Sequence, residues 1–299
     1  MRIFVTGATG IIGTAVVRQL LTAGYEVLGL ARSSAAGDLL KSSGAESHPG
    51  ELVDLASLVA GAKQCDGVIH LAFIHDFSTY LANAEVDRRA LEAMAGAMEG
   101  TGKPLVVTSS TVVLKPGQIG TERDTPENEG LGSIRAASEQ VLTAAGKGVR
   151  VCAVRLPPSV HGVGDRAFVP AMIETARRNG FSAYIGDGAN RWPAVHRLDA
   201  ARLFRLALEM ATPGSRLHGV AEEGIPVREI AETIAQGLGI PTRSIPAAEA
   251  AAHFDWLAAF AALDLPISNT LTRTSLGWHP QQPGLLEDMR ENGYFQTTK

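Results

Sequence analysis

The stretch "RIFVTGATGIIGTAVVRQLL", residues 2–21, decides the fold. Residues 2–6 are β-rich and lead into a turn with Gly7, Gly10 and Gly13 at three-residue intervals. From Ile11 the apolar residues recur at helical spacing, and Gly24 stands where a helix-ending glycine belongs. With 32 glycines in the chain, that spacing alone arises too easily by chance to carry an assignment. Its place between a strand and a helix gives it meaning. Glycines there allow a tight turn and close backbone approach, and the helix opens with unpaired N–H groups facing a pyrophosphate. Gly7, Thr9, Gly10, Ile11, Ile12 and Gly13 form the expected cradle of a dinucleotide.

Working outward, residues 26–31, 67–72, 104–109 and 149–154 read as further strands, and 53–62, 84–99 and 133–146 as helices between them. Strands this continuously apolar imply burial on both faces, hence a doubly wound parallel α/β sheet of Rossmann type. From Arg155 the pattern loosens into loops rich in proline and glycine. Asp199 is the expected N-cap of a helix running to Met210, with another helix at 226–237 and an alanine-rich stretch at 247–262. The expected division is a dinucleotide-binding domain over 1–155, joined by about 186–210, and a smaller C-terminal substrate lobe over 156–299.

The 299 residues are 45% hydrophobic and 19% charged, which fits a folded chain rather than a disordered one. A net charge of −4 offers no basic field for nucleic acid. No run approaches the roughly 20 apolar residues that a membrane span needs. The apolar run before Gly7 is too short for a signal peptide, so a cytoplasmic location is expected. Cys65 and Cys152 are too few for a disulfide framework and read as buried free thiols. The eight histidines show no HxxxH pairing, and neither CxxC nor a GxSxG elbow occurs, so neither a metal site nor a serine hydrolase is expected.

The cofactor type follows from "GLARSS" (29–34) at the end of the second strand. A carboxylate there would bind a ribose 2′-OH, but none appears until Asp38. Arg32 can pair with a 2′-phosphate and Ser33 and Ser34 can donate to it, so the expected cofactor is NADP(H).

Further segments lie in a telling order: "GELVD" (50–54), "HLA" (70–72), "VVTSSTVV" (106–113), "PPSVHG" (157–162), "GDGANRWPAVHRLDAARL" (186–203) and "LGWHP" (276–280). With the glycine turn they make the chain resemble the extended short-chain dehydrogenase/reductase superfamily, which includes nucleotide-sugar epimerases, dehydratases and hydroxysteroid-dehydrogenase-like reductases. The resemblance implies that Glu51 and Leu52 flank the adenine, and that Leu71, Ala72, Thr108, Pro158 and Ser159 lie along the cofactor. The family's catalytic set is Ser/Thr, Tyr and Lys. Ser110 matches the first; in "LGSIRAASEQ" (131–140) the other two positions hold Leu131 and Arg135, so the chain is an atypical member. Relatives commonly dimerise through the helices at 84–99 and 133–146, although a buried intramolecular face would read the same way.

Reduction of a carbonyl needs an aimed hydride, a stabilised oxyanion and a proton. Ser110 and Arg135 are the candidates for the oxyanion. For the proton the first candidate is His75 in "AFIHDFSTY" (72–80), assisted by Asp76 or Tyr80, and the second is His161. His196, with Arg197 and Asp199, is expected to fix a loop between the lobes. His253 and Trp256 either line a substrate pocket or pack within a helix. The expected function is an NADPH-dependent oxidoreductase acting on a small or medium organic carbonyl, or a related C=N or C=C bond. The alternative is a non-catalytic NADP(H)-binding regulator or sensor.

Overall fold

Apolar runs become strands, which in chain order are β1 (Arg2–Thr6), β2 (Glu26–Ala31), β3 (Glu46–Pro49), β4 (Gly67–His70), β5 (Pro104–Ser110), β6 (Arg150–Leu156), β7 (Ser159–His161), β8 (Ser182–Ile185), β9 (Arg191–His196), β10 (Arg216–His218), β11 (Glu222–Pro226) and β12 (Thr242–Ile245). The helices up to residue 238 are α1 (Ile11–Thr22), α2 (Ser34–Ser42), α3 (Leu55–Gln64), α4 (Tyr80–Met98), α5 (Gly130–Ala136), α6 (Phe168–Asn179), α7 (Arg197–Met210) and α8 (Val227–Leu238). The computed structural model describes residues 1–76, 79–127 and 129–296, without the side chain of Leu131.

Seven strands form one sheet in the order β10-β6-β5-β4-β1-β2-β3, with every pairing parallel. The strand order reverses between β1 and β4, which opens a crevice at their C-terminal ends. One face packs against α1 and α7, with Val16, Leu20, Leu203, Phe204 and Trp278 in its core. The other packs against α3, α4 and the 3-10 segment Ala137–Lys147, around Leu58, Leu91, Met94 and Leu142. Each such side chain contributes about 1.5–3 kcal/mol by leaving water. Coverage on both faces explains the continuous apolar strands.

Beyond the central sheet lie the sheet β11-β9-β7, the pair β12-β8, helices α6 and α8, and a separate apolar cluster that includes Trp192, Ile230, Phe254 and Leu257. Among the described residues no helix is long and apolar enough to cross a membrane. Cys65 and Cys152 are buried and free, and burial pushes their thiols up to about 11 and about 12.

Three elements depart from expectation. Asp199 is not the N-cap of α7: the helix starts at Arg197, and His196 caps it by accepting from the Leu198 N–H at 3.2 Å. The buried Asp199 carboxylate instead accepts from the N–H groups of Gln281 and Gln282 at 2.9 Å each, anchoring the C-terminal segment. The helix expected at 133–146 is α5 followed by the tighter 3-10 segment, at whose start Ser138 and Glu139 are held by tertiary bonds. The alanine-rich stretch splits into Ala250–Phe254, a 3-10 turn and Ala258–Ala261, interrupted at Asp255 with φ +53°.

Candidate active site

The turn after β1 is built by exclusion of side chains. Gly7 has φ +65°, and a Cβ there would lie 2.7 Å from the Ala72 nitrogen. A Cβ on Gly13 would lie 1.9 Å from the Gly7 carbonyl oxygen. The two contacts press α1 and the end of β4 against the turn. Thr9, Gly10, Ile11 and Ile12 lie in this turn and the start of α1, with Gly10 as N-cap. At the ends of β2 and β3 lies an open depression of about 550 Å³, lined by Arg32, Ser33, Ser34, Lys41 and Glu51, among others. The Ser33 hydroxyl caps α2 by accepting from Ala36 N–H, which leaves its own hydrogen to donate. Leu52 is buried in the core beneath, and the same depression is lined by Asp38 and Asp54, with Lys41 Nζ 3.9 Å from Asp38 Oδ1.

Beside the crevice runs a buried chain of hydrogen bonds. His70 lies between Asp87 Oδ1, 2.9 Å from its Nε2, and Thr6 Oγ1, 2.8 Å from its Nδ1. These partners assign the Nε2 hydrogen to Asp87 and leave Nδ1 to accept from the Thr6 hydroxyl. The Thr6 oxygen accepts in turn from the N–H groups of Leu71 and Ala72. Ser138 donates to Asp87 Oδ2 at 2.6 Å, and Arg135 Nη1 stands 3.8 Å from the same oxygen. Burial opposes the Asp87 charge, but the His70 bond, Arg135 and Ser138 outweigh it and hold the carboxyl below its ordinary value. Asp87 could have been noticed in the sequence, because it sits on the buried stripe of α4 with Asn83, Ala84, Ala90 and Leu91.

Arg135, only 8% exposed, is central. Its Nη2 donates to the Thr108 carbonyl at 3.3 Å, and its guanidinium carbon lies 3.9 Å above the Phe73 ring. Phe73 in turn meets His75 at 5.1 Å and Tyr80 at 5.7 Å, both edge to face. The structure thus brings Arg135, His75 and Tyr80 around one ring. His75 keeps an exposed surface, yet crowding desolvates its ring and Arg135 repels its charged form, so its pKa lies below the ordinary 6.5. Desolvation raises the Tyr80 phenol above its ordinary value, against a smaller opposing pull from Arg135.

Ser109 and Ser110 face different surroundings. Buried Ser109 donates to Glu139 at 2.8 Å. Ser110 is half-buried, and its oxygen accepts from Val112 N–H, so its hydrogen remains to donate. The 3-10 turn Thr111–Val113 that follows packs on α5, the helix of Arg135. Leu131 falls in the first turn of α5, and its side chain lies outside those described. Pro158 and Ser159 follow β6, with Ser159 Oγ buried and without a hydrogen-bond partner. His161 is placed elsewhere: fully buried, it holds Asp288 Oδ2 at 2.8 Å and meets His196 edge-on at 5.3 Å. Its partners do not include the Arg135 group. Among the described residues no cluster of three or more His, Cys, Asp or Glu is arranged to hold a metal.

A family model described as "NAD dependent epimerase/dehydratase family" matches residues 3–218. The chain belongs to the NAD dependent epimerase/dehydratase family. A Schizosaccharomyces pombe protein described as uncharacterized is 49% identical, covering 99% of this chain and 100% of its own. The 2-alkyl-3-oxoalkanoate reductase of Stenotrophomonas maltophilia is 27% identical over 81% of this chain and 77% of its own. The fold also resembles that of dTDP-glucose 4,6-dehydratase from Streptomyces venezuelae, solved with NAD and TYD, at TM-score 0.78 and 22% identity over 98% of each chain.

Proposed function

We propose that the protein is an NADPH-dependent oxidoreductase that reduces a small or medium organic carbonyl. The observation that carries this reading is the group around Phe73, where a buried guanidinium and two protonatable side chains stand beside the switch-point crevice. The turn of Gly7, Gly10 and Gly13 would hold a dinucleotide whose reduced nicotinamide, when bound, would supply hydride to the carbonyl carbon. Ser110 donates a hydrogen bond to the carbonyl oxygen, and the fixed charge of Arg135 stabilises the negative charge that develops there. His75 supplies the proton that completes the alcohol. Its lowered pKa confines that role to the acid side of neutrality, whereas the Tyr80 phenol stays protonated through neutral pH. Two relatives whose names describe reductases of oxo compounds support the reaction class.

The pH profile separates the two donors. A His75 donor must be protonated, so kcat/KM falls as pH rises through a value below 6.5. A Tyr80 donor leaves the rate level through neutral pH, with a fall only above the ordinary phenol value of 10.0. With His75 as donor, His75→Ala lowers kcat by about 10²–10⁴-fold. Unchanged rates in His75→Ala remove it from the mechanism.

Preference for NADPH rests on Arg32 and Lys41 at the depression beside β2. Removing Arg32 as alanine deletes charge-assisted bonds worth about 1.5–3 kcal/mol, a loss of roughly 10–150-fold for NADPH. NADH, lacking the 2′-phosphate, changes little. An unchanged NADPH/NADH ratio of kcat/KM in Arg32→Ala refutes the assignment. Binding of NADPH with no absorbance change at 340 nm across aldehydes, ketones, imines and quinones would point instead to a non-catalytic regulator.

A further inference from the structure

We propose that Asp87 is a positioning residue whose carboxylate fixes the Arg135 guanidinium above Phe73. Through His70 it also ties that guanidinium to the strand ends beside the glycine turn. The proposal rests on the reductase reading above and assigns a further residue to the same site.

Asp87 is only 1% exposed, and both of its oxygens are committed. Oδ1 accepts from His70 Nε2 at 2.9 Å. Oδ2 accepts from the Ser138 hydroxyl at 2.6 Å and stands 3.8 Å from Arg135 Nη1. That nitrogen is buried and has no hydrogen-bond partner. Arg135 therefore depends on Asp87 for opposing charge rather than for a direct bond. A buried guanidinium without such a charge is strongly unfavourable, so the carboxylate sets where the guanidinium rests.

The contacts close into a circuit. Arg135 Nη2 donates to the Thr108 carbonyl at 3.3 Å, and the Thr108 hydroxyl donates to the His70 carbonyl at 2.8 Å. The His70 ring then returns to Asp87. A spur leaves His70 at Nδ1 for Thr6, whose oxygen holds the N–H groups of Leu71 and Ala72. Gly7 packs against that same backbone with no room for a Cβ. In a buried circuit each bond restrains the next, so a change at Asp87 reaches Arg135 on one side and the turn on the other.

Charge extends the influence to the reacting groups. Arg135 disfavours the protonated form of His75, and Asp87 opposes that effect. At Tyr80, Arg135 favours the phenolate and Asp87 disfavours it. The charged and titratable groups about His75 are thus Arg135 on α5, Asp87 and Tyr80 on α4, and Asp76 next to it in the chain. Asp87→Asn keeps the shape, can still accept from His70 and bond Ser138, and removes only the charge.

The test compares wild type with Asp87→Asn. In cofactor-free protein the His75 ring is titrated by proton NMR, its signal assigned by loss in His75→Ala. The His75 pKa should move further below 6.5 in Asp87→Asn, a shift that a merely structural role for Asp87 would not produce. NADPH turnover at 340 nm is measured with benzaldehyde, acetophenone and butanone. Asp87→Asn should lower kcat by roughly 10–100-fold with little change in the KM for NADPH, because the amide keeps the His70 bond. An unmoved His75 titration, or a kcat equal to that of wild type, overturns the proposal. If Asp87→Asn does not fold, Ser138→Ala frees Oδ2 from its hydroxyl while keeping the charge. Its kcat should fall, and an unchanged kcat overturns the proposal equally. The titration needs no turnover. A shifted His75 with no reduction of any of these substrates by wild type sets aside the reductase reading and leaves the hold of Asp87 on Arg135 standing.

Discussion

Replacing Glu139 with alanine is expected to lower the stability of the fold by about 3–5 kcal/mol, read as a shift of the urea unfolding midpoint. Arg155 has no exposed surface, and Glu139 accepts from its Nε at 2.6 Å and its Nη2 at 2.8 Å. Ser109 and Arg216 donate to the same carboxylate. Without it the guanidinium keeps the Asp124 carbonyl and a long contact to His218, which do not offset a buried charge. A loss under 1 kcal/mol would show that water or a rearranged neighbour replaces Glu139. The pair also predicts a pH dependence. Burial opposes the Glu139 charge, but Arg155, Arg216 and Ser109 prevail and hold its pKa below the ordinary 4.5. A depressed carboxyl contributes stability above its unfolded value that is lost as pH falls through the folded value. Stability of the wild type should therefore fall more steeply below pH 4.5 than that of Glu139→Ala.

Gly13→Ala is expected to weaken dinucleotide binding by about a hundredfold or more, the scale set by an ångström of misplacement. The added methyl meets the Gly7 carbonyl oxygen at 1.9 Å and the Gly7 and Ala8 carbonyl carbons at 2.8 Å, all backbone atoms of the turn, so no flexible side chain can yield. Either α1 moves off the sheet or the cradle opens. Gly10→Ala is the control, since its methyl meets the same oxygen at 3.3 Å and φ is −75°. Fluorescence titration with NADPH checks both. Equal affinity in wild type and Gly13→Ala would show that the turn does not hold the cofactor.

How much of this was legible depended on whether partners were local. The strands β1, β2, β4, β5 and β6 could be read directly, because burial on both faces leaves an apolar run. The strand β3 is "ESHP" on the sheet edge, polar at three of its four residues, and gives no such signal. Asp199 looked like a cap because its type suits one, whereas its partners, Gln281 and Gln282, lie over 80 residues away. Asp87 and Glu139 left a trace, a carboxylate on a buried helical stripe, but not the identity of what neutralises it. Phe73 left none; its importance comes from Arg135, His75 and Tyr80 converging on it from separate segments. The break at Asp255 is a tertiary override of helix propensity.

The placement of α7 and β10 has a consequence for how the chain comes off the ribosome. When residue 156 has emerged, six of the seven strands exist, yet the face that α7 covers is still bare and β6 is an open edge. That face is closed by Leu203, Phe204 and Leu208 and finally by Trp278, whose indole N–H bonds the Asp199 carbonyl. Synthesis at about 5–20 residues per second leaves an apolar sheet face and an unpaired strand in the open for several seconds. The nascent first half is thus the aggregation-prone stage of this protein's life, and the stretch from 197 to 278 acts as its own late-arriving chaperone.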